Sequence, residues 1–233
     1  MTVAVEVDAR EFRRVFGHFC TGVTIVTTAS STDPVSSGGP ASSGGLGSAG
    51  GPASSGGRAA GGAAGGLGSA GGAALAGGRA FPAGFACQAF VPLSLDPPLV
   101  LFCPQAGSQT WQRIQDTGLF CVNVLGEDHH ELSRAFGTSR PDKFDGVAWT
   151  PSPGGMPILR DALTWAECRV EAVHPGGDHV IVVGRVLTLG ECRDGGPLLF
   201  FQGRYRTAAP PPPSATTEVV DTLLAWPRHT DWI

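Results

Sequence analysis

Asp178 and His179 close a Gly176-Gly177-Asp178-His179 turn, and no other pair in this chain has so clear a chemical use. A carboxylate beside an imidazole fixes which ring nitrogen carries the proton, and the other nitrogen is then free for one directed hydrogen bond. Asp178 is equally able simply to cap the turn. Two glycines let the backbone reverse sharply and approach another group closely. On its own the segment also reads as a plain hairpin turn. A second group lies at Ser108 and Thr110, which open a helical stretch. Their hydroxyls suit a helix cap, and equally a phosphate held at a helix N-terminus. Lys143, in Pro141-Asp-Lys-Phe144, is either a solvated charge or a ligand contact. His129-His130 reads as solvated on a polar helix face. No protein nucleophile is evident. Neither Cys nor His shows metal-ligand spacing, so no metal site is expected.

These residues need elements to position them. Trp165–Val173 and Val180–Leu187 are strand-like runs on either side of the Gly-Gly-Asp-His turn. Asp8 fits an N-cap with Glu11 three positions on, and Phe12, Val15, Phe16 and Phe19 then recur at helical spacing. The spacing predicts a first helix whose aromatic face turns to the core. Thr21–Thr28 is β-branched and reads as a strand. Gly84–Phe90 and Leu99–Cys103 are strand candidates around the Asp96-Pro97-Pro98 turn. Ser108–Asp116 reads as a helix, Leu119–Leu125 as a buried strand, and Asp128–Phe136 as a helix stopped by Gly137. Segments 141–144 and 151–157 read as irregular. Pro197–Phe201 is the last expected strand, leading to Gly203-Arg-Tyr205. After Pro210–Pro213, Val219, Val220, Leu223 and Leu224 suggest a tail helix. Short strands joined by hairpins favour a closed antiparallel barrel over a parallel sheet.

Composition sets the outer bounds. Of 35 glycines, 18 lie between Ser36 and Ala80, among little but Ala, Ser and Pro. Within this stretch Gly-Gly-Pro-Ala-Ser-Ser-Gly-Gly occurs at 38–45 and 50–57, and Gly-Gly-Leu-Gly-Ser-Ala-Gly-Gly at 44–51 and 65–72. Two G-x-G-x-x-G matches arise, at 45–50 and 66–71. They lack the preceding strand, following helix and later acidic residue of a dinucleotide fingerprint, and glycine abundance accounts for them. With few large apolar side chains the segment cannot offset its ordering entropy and is expected to be a flexible excursion. The remainder has the size of one compact domain. A net charge of −4 gives no electrostatic case for nucleic acid. No run approaches the length needed to span a bilayer, and Met1–Glu6 lacks the features of a signal peptide. Cys20, Cys87, Cys103, Cys121, Cys168 and Cys192 show no CxxC spacing, and are expected to be mostly buried, reduced thiols in a cytoplasmic protein.

Several motifs together resemble the short-chain flavin reductases of two-component monooxygenases. They are Phe19-Cys-Thr-Gly22, Gly84-Phe-Ala-Cys-Gln88, Pro97–Pro104, Phe120–Leu125, Pro141–Phe144, Gly176–His179, Pro197–Phe200 and Asp231-Trp-Ile233. Within that family they are most similar to the reductase components of bacterial secosteroid hydroxylases. The resemblance implies a mainly β fold, an antiparallel Greek-key split barrel of six or seven strands with short peripheral helices, acting as a homodimer. It implies a domain over 8–207, interrupted by an insertion at 34–82 and followed by a Pro-rich linker and tail helix at 208–233. It implies reduction of FMN or FAD by NADH, or by NADPH, with hydride passing from nicotinamide C4 to flavin N5. Reduced flavin would then serve a separate oxygenase. His179 would be the catalytic residue. Flavin or nicotinamide contacts would come from Cys87, Gln88, Ala89, Ser94, Ser108, Thr110, Lys143, Phe144, Gly177, Asp178, His179 and Tyr205. The family carries Asn-Ser where this chain has Gln88-Ala89, so contact at Ala89 would rest on the backbone. The other reading that the resemblance allows is a non-catalytic flavin- or haem-binding split-barrel protein.

Overall fold

The computed structural model describes residues 8–30, 74–75, 78–79 and 81–209. The expected tail helix, both G-x-G-x-x-G matches and most of the 34–82 insertion lie outside the described residues. Helix α1 (Ala9–Phe16) leads into β1 (Thr21–Gly22) and β2 (Thr24–Ser30). The two-residue strands β3 (Ala74–Leu75) and β4 (Gly78–Arg79) pair with each other. Next come β5 (Phe81–Cys87), β6 (Phe90–Leu95), β7 (Pro98–Phe102), α2 (Gln109–Thr117) and β8 (Leu119–Val124). A 3-10 turn (Glu127–His129) precedes α3 (His130–Phe136). The chain closes with β9 (Trp149–Pro151), β10 (Pro157–Leu159), β11 (Thr164–Gly176), β12 (His179–Leu189), β13 (Leu198–Phe201) and β14 (Arg204–Thr207).

Seven strands form the main sheet, in the order β5-β2-β8-β11-β12-β7-β6, and every pairing is antiparallel. The two edge strands, β5 and β6, are consecutive in the chain and joined only by Gln88-Ala89. Two residues cannot bridge a flat sheet, so the sheet must curl until its edges meet. This is the expected split barrel. At the corner the Cys103 N–H donates to the Ala89 carbonyl at 3.1 Å.

Two apolar clusters explain why β2 and β8 are buried on both faces. Val26, Phe120 and Val122 join Phe102, Trp111, Ile114 and Val182 inside the barrel. Ile25 points the other way and joins Leu125, Phe136, Leu159 and Leu198. Asn123 is fully buried on β8, yet its polar atoms are satisfied. Its amide donates to the Ile25 carbonyl at 3.2 Å, and its oxygen accepts from Leu159 N–H at 2.8 Å. It thereby pins the β9–β10 hairpin to the barrel.

Several expectations are corrected. The aromatic face of α1 does not meet a core: no residue of the helix is buried, and Phe16 is 59% exposed. The Asp8 cap does form, its carboxylate accepting from Glu11 N–H at 3.3 Å. The Thr21–Thr28 strand splits at Val23, because β1 leaves the barrel to pair with β13. The Gly84–Phe90 strand breaks at Gln88, and the flanking strand β5 already starts at Phe81, inside the expected insertion. Strands β3, β4, β6, β9, β10 and β14 were not expected. Only Cys87, Cys121 and Cys168 are buried, whereas Cys20 and Cys192 are exposed and Cys103 is intermediate.

Candidate flavin and nicotinamide site

A cleft of about 990 Å³ lies along the β5 edge of the barrel. Residues Phe81–Ala89 form one wall, and Cys103–Thr110 with Arg113 form the second. Phe136–Asp145 closes a third side, and His179 enters from the long hairpin. Because β5 is hydrogen-bonded to a neighbouring strand only through β2, its other edge is left to the cleft. Gly84 is required at the back of this wall. A Cβ there would come within 2.7 Å of the Phe136 ring and 3.2 Å of the Val26 carbonyl.

His179 is delivered by hairpin geometry. Gly176 pairs with His179, and Gly177, at φ +80°, takes the left-handed turn that other residues resist. The tip then docks on the loop after β7: Ala106 N–H donates to the Asp178 carbonyl at 3.1 Å, and Val180 N–H to the Pro104 carbonyl at 3.0 Å. Asp178 Oδ1 lies 2.7 Å from His179 Nδ1. That hydrogen bond, with the charge of the ring when protonated, holds the Asp178 carboxyl below its ordinary range. An ionised carboxylate can only accept, so Nδ1 carries the proton and Nε2 is left for a ligand.

Eight of the residues expected from the sequence meet at this cleft: Cys87, Gln88, Ala89, Ser108, Thr110, Lys143, Phe144 and His179. Asp178 stays outside and reaches the site through His179, and Gly177 supplies only the turn. Ser94 sits on β6 opposite Leu99 and does not line the cleft. Tyr205 does not line the cleft either. Its hydroxyl lies 3.0 Å from the Ser133 hydroxyl, and its ring packs edge-on against Phe200 in the second cluster. The β13–β14 hairpin therefore packs against α3 through the second cluster.

Lys143 is not a free solvated charge. Its Nζ donates to the Gly84 and Phe136 carbonyls, each at 3.1 Å, tying β5 to the end of α3. Burial pushes its pKa below the ordinary lysine value. An ammonium has three donors, so one remains for a ligand. Phe144 packs edge-on against Phe136 at 5.0 Å and fixes the same loop. Ser108 caps α2, accepting from Trp111 N–H at 3.3 Å. Thr110 donates its hydroxyl proton to the Gly84 carbonyl at 3.4 Å. Cys87 is a buried thiol, with its Sγ 3.6 Å from the Ala89 carbonyl. Burial pushes its pKa up to about 11, so it packs rather than reacts.

Sequence reasoning missed Arg113, Ser139 and Arg140, all of which line the cleft. Arg113 lies four residues after Gln109 and three after Thr110, so helical spacing put it on their face. Ser139 and Arg140 sit in an irregular loop that carries no periodic signal. The Arg140 guanidinium grips Asp142 through two bonds, of 3.0 and 2.6 Å.

Among the described residues no group of three or more His, Cys, Asp or Glu could hold a metal ion, and no helix is long and apolar enough to cross a membrane. The cleft instead suits flat, polar-edged organic cofactors. It offers a strand edge, an imidazole with one free nitrogen, and cations on two sides.

Comparison with known proteins agrees. Residues 67–209 match the flavin reductase like domain family. The chain is 38% identical over 234 residues to the flavin-dependent monooxygenase reductase subunit HsaB of Rhodococcus jostii, covering 99% of this chain and 95% of that protein. Among solved structures, nitrilotriacetate monooxygenase component B from Mycobacterium thermoresistibile is 38% identical with a TM-score of 0.63, covering 91% of this chain and 93% of the other. The NADH:FAD oxidoreductase SgcE6 of Streptomyces globisporus, solved with NAD and FAD fragments, is 28% identical. Its TM-score is 0.63, with 89% and 98% covered. Sequence, barrel and cleft converge, and the chain belongs to the flavin reductase like family.

Proposed function

We propose that this protein is an NAD(P)H-dependent flavin reductase that supplies reduced FMN or FAD to the separate oxygenase component of a hydroxylase of aromatic or steroid rings. The observation that carries the reading is His179, held by Asp178 and docked at a cleft walled by the β5 edge. The bound cofactors supply the chemistry, a hydride passing from nicotinamide to flavin, and need no protein nucleophile. The chain's own task is to bind and align two flat rings. With Nδ1 protonated, neutral His179 offers Nε2 as an acceptor, which suits the N–H of a carboxamide. Lys143 keeps the β5 wall and the α3 loop at a fixed separation and has one proton left for a cofactor oxygen. The R. jostii and S. globisporus relatives are named for the same division of labour, as a monooxygenase reductase subunit and an NADH:FAD oxidoreductase.

The working unit is one split-barrel domain over 8–207, acting as a homodimer. The apolar side chains that α1, β6 and β12 leave in solvent support that assembly. A steady-state assay tests the function. Purified protein is expected to oxidise NADH only when FMN, FAD or riboflavin is added. No flavin-dependent NADH loss with any of the three would sink the reductase reading. Retained flavin without turnover would favour a non-catalytic binder.

A further inference from the structure

Three Lys and Arg side chains line the cleft, and two are already engaged. Arg140 is paired with Asp142, and Lys143 holds two backbone carbonyls. Arg113 is the third. It is half-buried on α2, lines the cleft, and has no side-chain hydrogen bond or acidic partner among the described residues. A guanidinium that lines a cleft and is not paired with a carboxylate is an open site for a bidentate anion.

The hydroxyls expected to hold a phosphate are less available. The Thr110 hydroxyl gives its only proton to the Gly84 carbonyl, so towards an anion that hydroxyl has nothing to donate. Ser108 accepts from Trp111 N–H and keeps its own proton, so it can still donate once. Ser108 and Arg113 are five residues apart, about 7–8 Å along the helix axis. Both residues line the same cleft, and the long arginine side chain covers that axial separation.

From this we propose that Arg113 is the principal phosphate-recognising residue of the cleft. It grips the phosphate of FMN, or the diphosphate of FAD, and makes the enzyme discriminate phosphorylated flavins from riboflavin. The inference rests on the flavin-reductase reading. The flavin is favoured over the dinucleotide as the source of the phosphate because α2 is tied directly to the β5 wall through Thr110 and Gly84. The nicotinamide-facing side chain, His179, comes from a different element.

Flavin-fluorescence titrations and steady-state kinetics, both on the full chain, test it. Arg113→Gln is expected to raise Kd and KM for FMN by tenfold to a hundredfold. The ratio of Kd for FMN to Kd for riboflavin should rise by a similar factor, with kcat at saturating FMN falling less than threefold. Arg113→Lys should recover part of the affinity but not the bidentate geometry. Raising ionic strength should weaken FMN binding to the parent protein and barely affect the glutamine variant. An unchanged FMN-to-riboflavin ratio in Arg113→Gln would overturn the proposal. So would a rise in KM for NADH or NADPH with flavin affinity intact, which would assign Arg113 to the dinucleotide. If the parent protein reduced no flavin at all, the functional reading would fail instead, and binding titration would still judge Arg113.

Discussion

His179 is worth little as a lone histidine in a turn, and gains its role from two neighbours. Asp178 sets its tautomer, and the Pro104–Ala106 loop sets its position. If its Nε2 orients nicotinamide, His179→Ala should lower turnover by about tenfold to a thousandfold, or roughly 1.4–4 kcal/mol of transition-state stabilisation. Flavin Kd should change little. An unchanged kcat would make it a turn residue only. The cysteines give a second test at this scale. Burial raises the Cys87 thiol to about 11 and the Cys168 thiol to about 12 from an ordinary 9.0, and pushes Cys121 higher still. At pH 8 Cys192 should therefore alkylate quickly, whereas these three should react only after unfolding. A thiol whose folded pKa is raised stabilises the fold below its unfolded value, and that contribution disappears as pH climbs through the folded value. Between pH 9 and about 11 Cys87 should thus cost about 1.4 kcal/mol of stability per pH unit. Denaturant titrations at pH 8, 9 and 10 should show a shallower alkaline decline in Cys87→Ala than in the parent. Equal slopes would mean that Cys87 ionises freely in the folded protein.

Strands β2 and β5 show how an element can be fixed while its connection is not. They pair from Thr24↔Cys87 to Ser30↔Phe81. The chain thus leaves and re-enters the sheet at directly opposed residues, about 5 Å apart. Nothing in that geometry requires the Gly/Ala/Ser-rich stretch between them, and loop length itself costs only about 0.6 kcal/mol per doubling. Replacing Ser36–Ala80 with a few turn residues should keep the unfolding midpoint equal or slightly higher and preserve flavin reduction. The join must keep register, since a slip of one residue would turn Val26 and Phe85 to the wrong faces. A folded deletion variant that no longer binds flavin would place the segment in the site. The elements readable from sequence were those with one strong local signal. Strand β8 is a continuous apolar run, α2 has a Ser108 cap, and the β11–β12 hairpin has its Gly-Gly turn. Those that escaped were built by tertiary context. Strand β6 carries Pro92 and exposes Val91 and Leu95, so it shows no buried alternation. Strand β14 is polar, and the β9–β10 hairpin depends on Asn123, seen from sequence only as a polar residue in an apolar strand. At the site, the turn and the α2 cap were legible because backbone chemistry dictates them. Tyr205 lies outside the cleft, and chain order does not reveal which side of the barrel the β13–β14 hairpin packs on.

At the scale of the molecule, the described residues leave two apolar stretches exposed. Helix α1 carries Phe12, Val15 and Phe16 along one face, with Phe19 following; the Phe12 and Phe16 rings meet at 4.6 Å in a tilted pair, and both are exposed among the described residues. Phe19 is 74% exposed. The helix is attached at its end, where Gln202 N–H donates to the Gly17 carbonyl at 2.8 Å and His18 meets the Phe201 ring edge. A second stretch runs along β6 and the end of β12, where Leu95 is 91% and Leu189 72% exposed. Among the described residues both stretches are exposed, and surfaces of that kind mark interaction sites. Covering half of the four α1-face side chains is worth on the order of 3–6 kcal/mol per protomer, before any contribution from the strands. That is a substantial part of what a stable dimer needs after it meets the entropy of association. The amphipathic spacing of α1, which meets no core among the described residues, supports the homodimer proposed above. Light scattering on a sizing column should therefore give twice the chain mass at micromolar concentration. The double substitution Phe16→Asp and Phe19→Asp should shift it to the single mass while leaving the circular dichroism of the barrel unchanged. Should Leu95→Asp split the dimer and the α1 pair fail to, the interface would belong to the β6–β12 stretch instead. A parent protein that runs as a monomer would remove the dimer altogether and leave α1 as a face for the oxygenase.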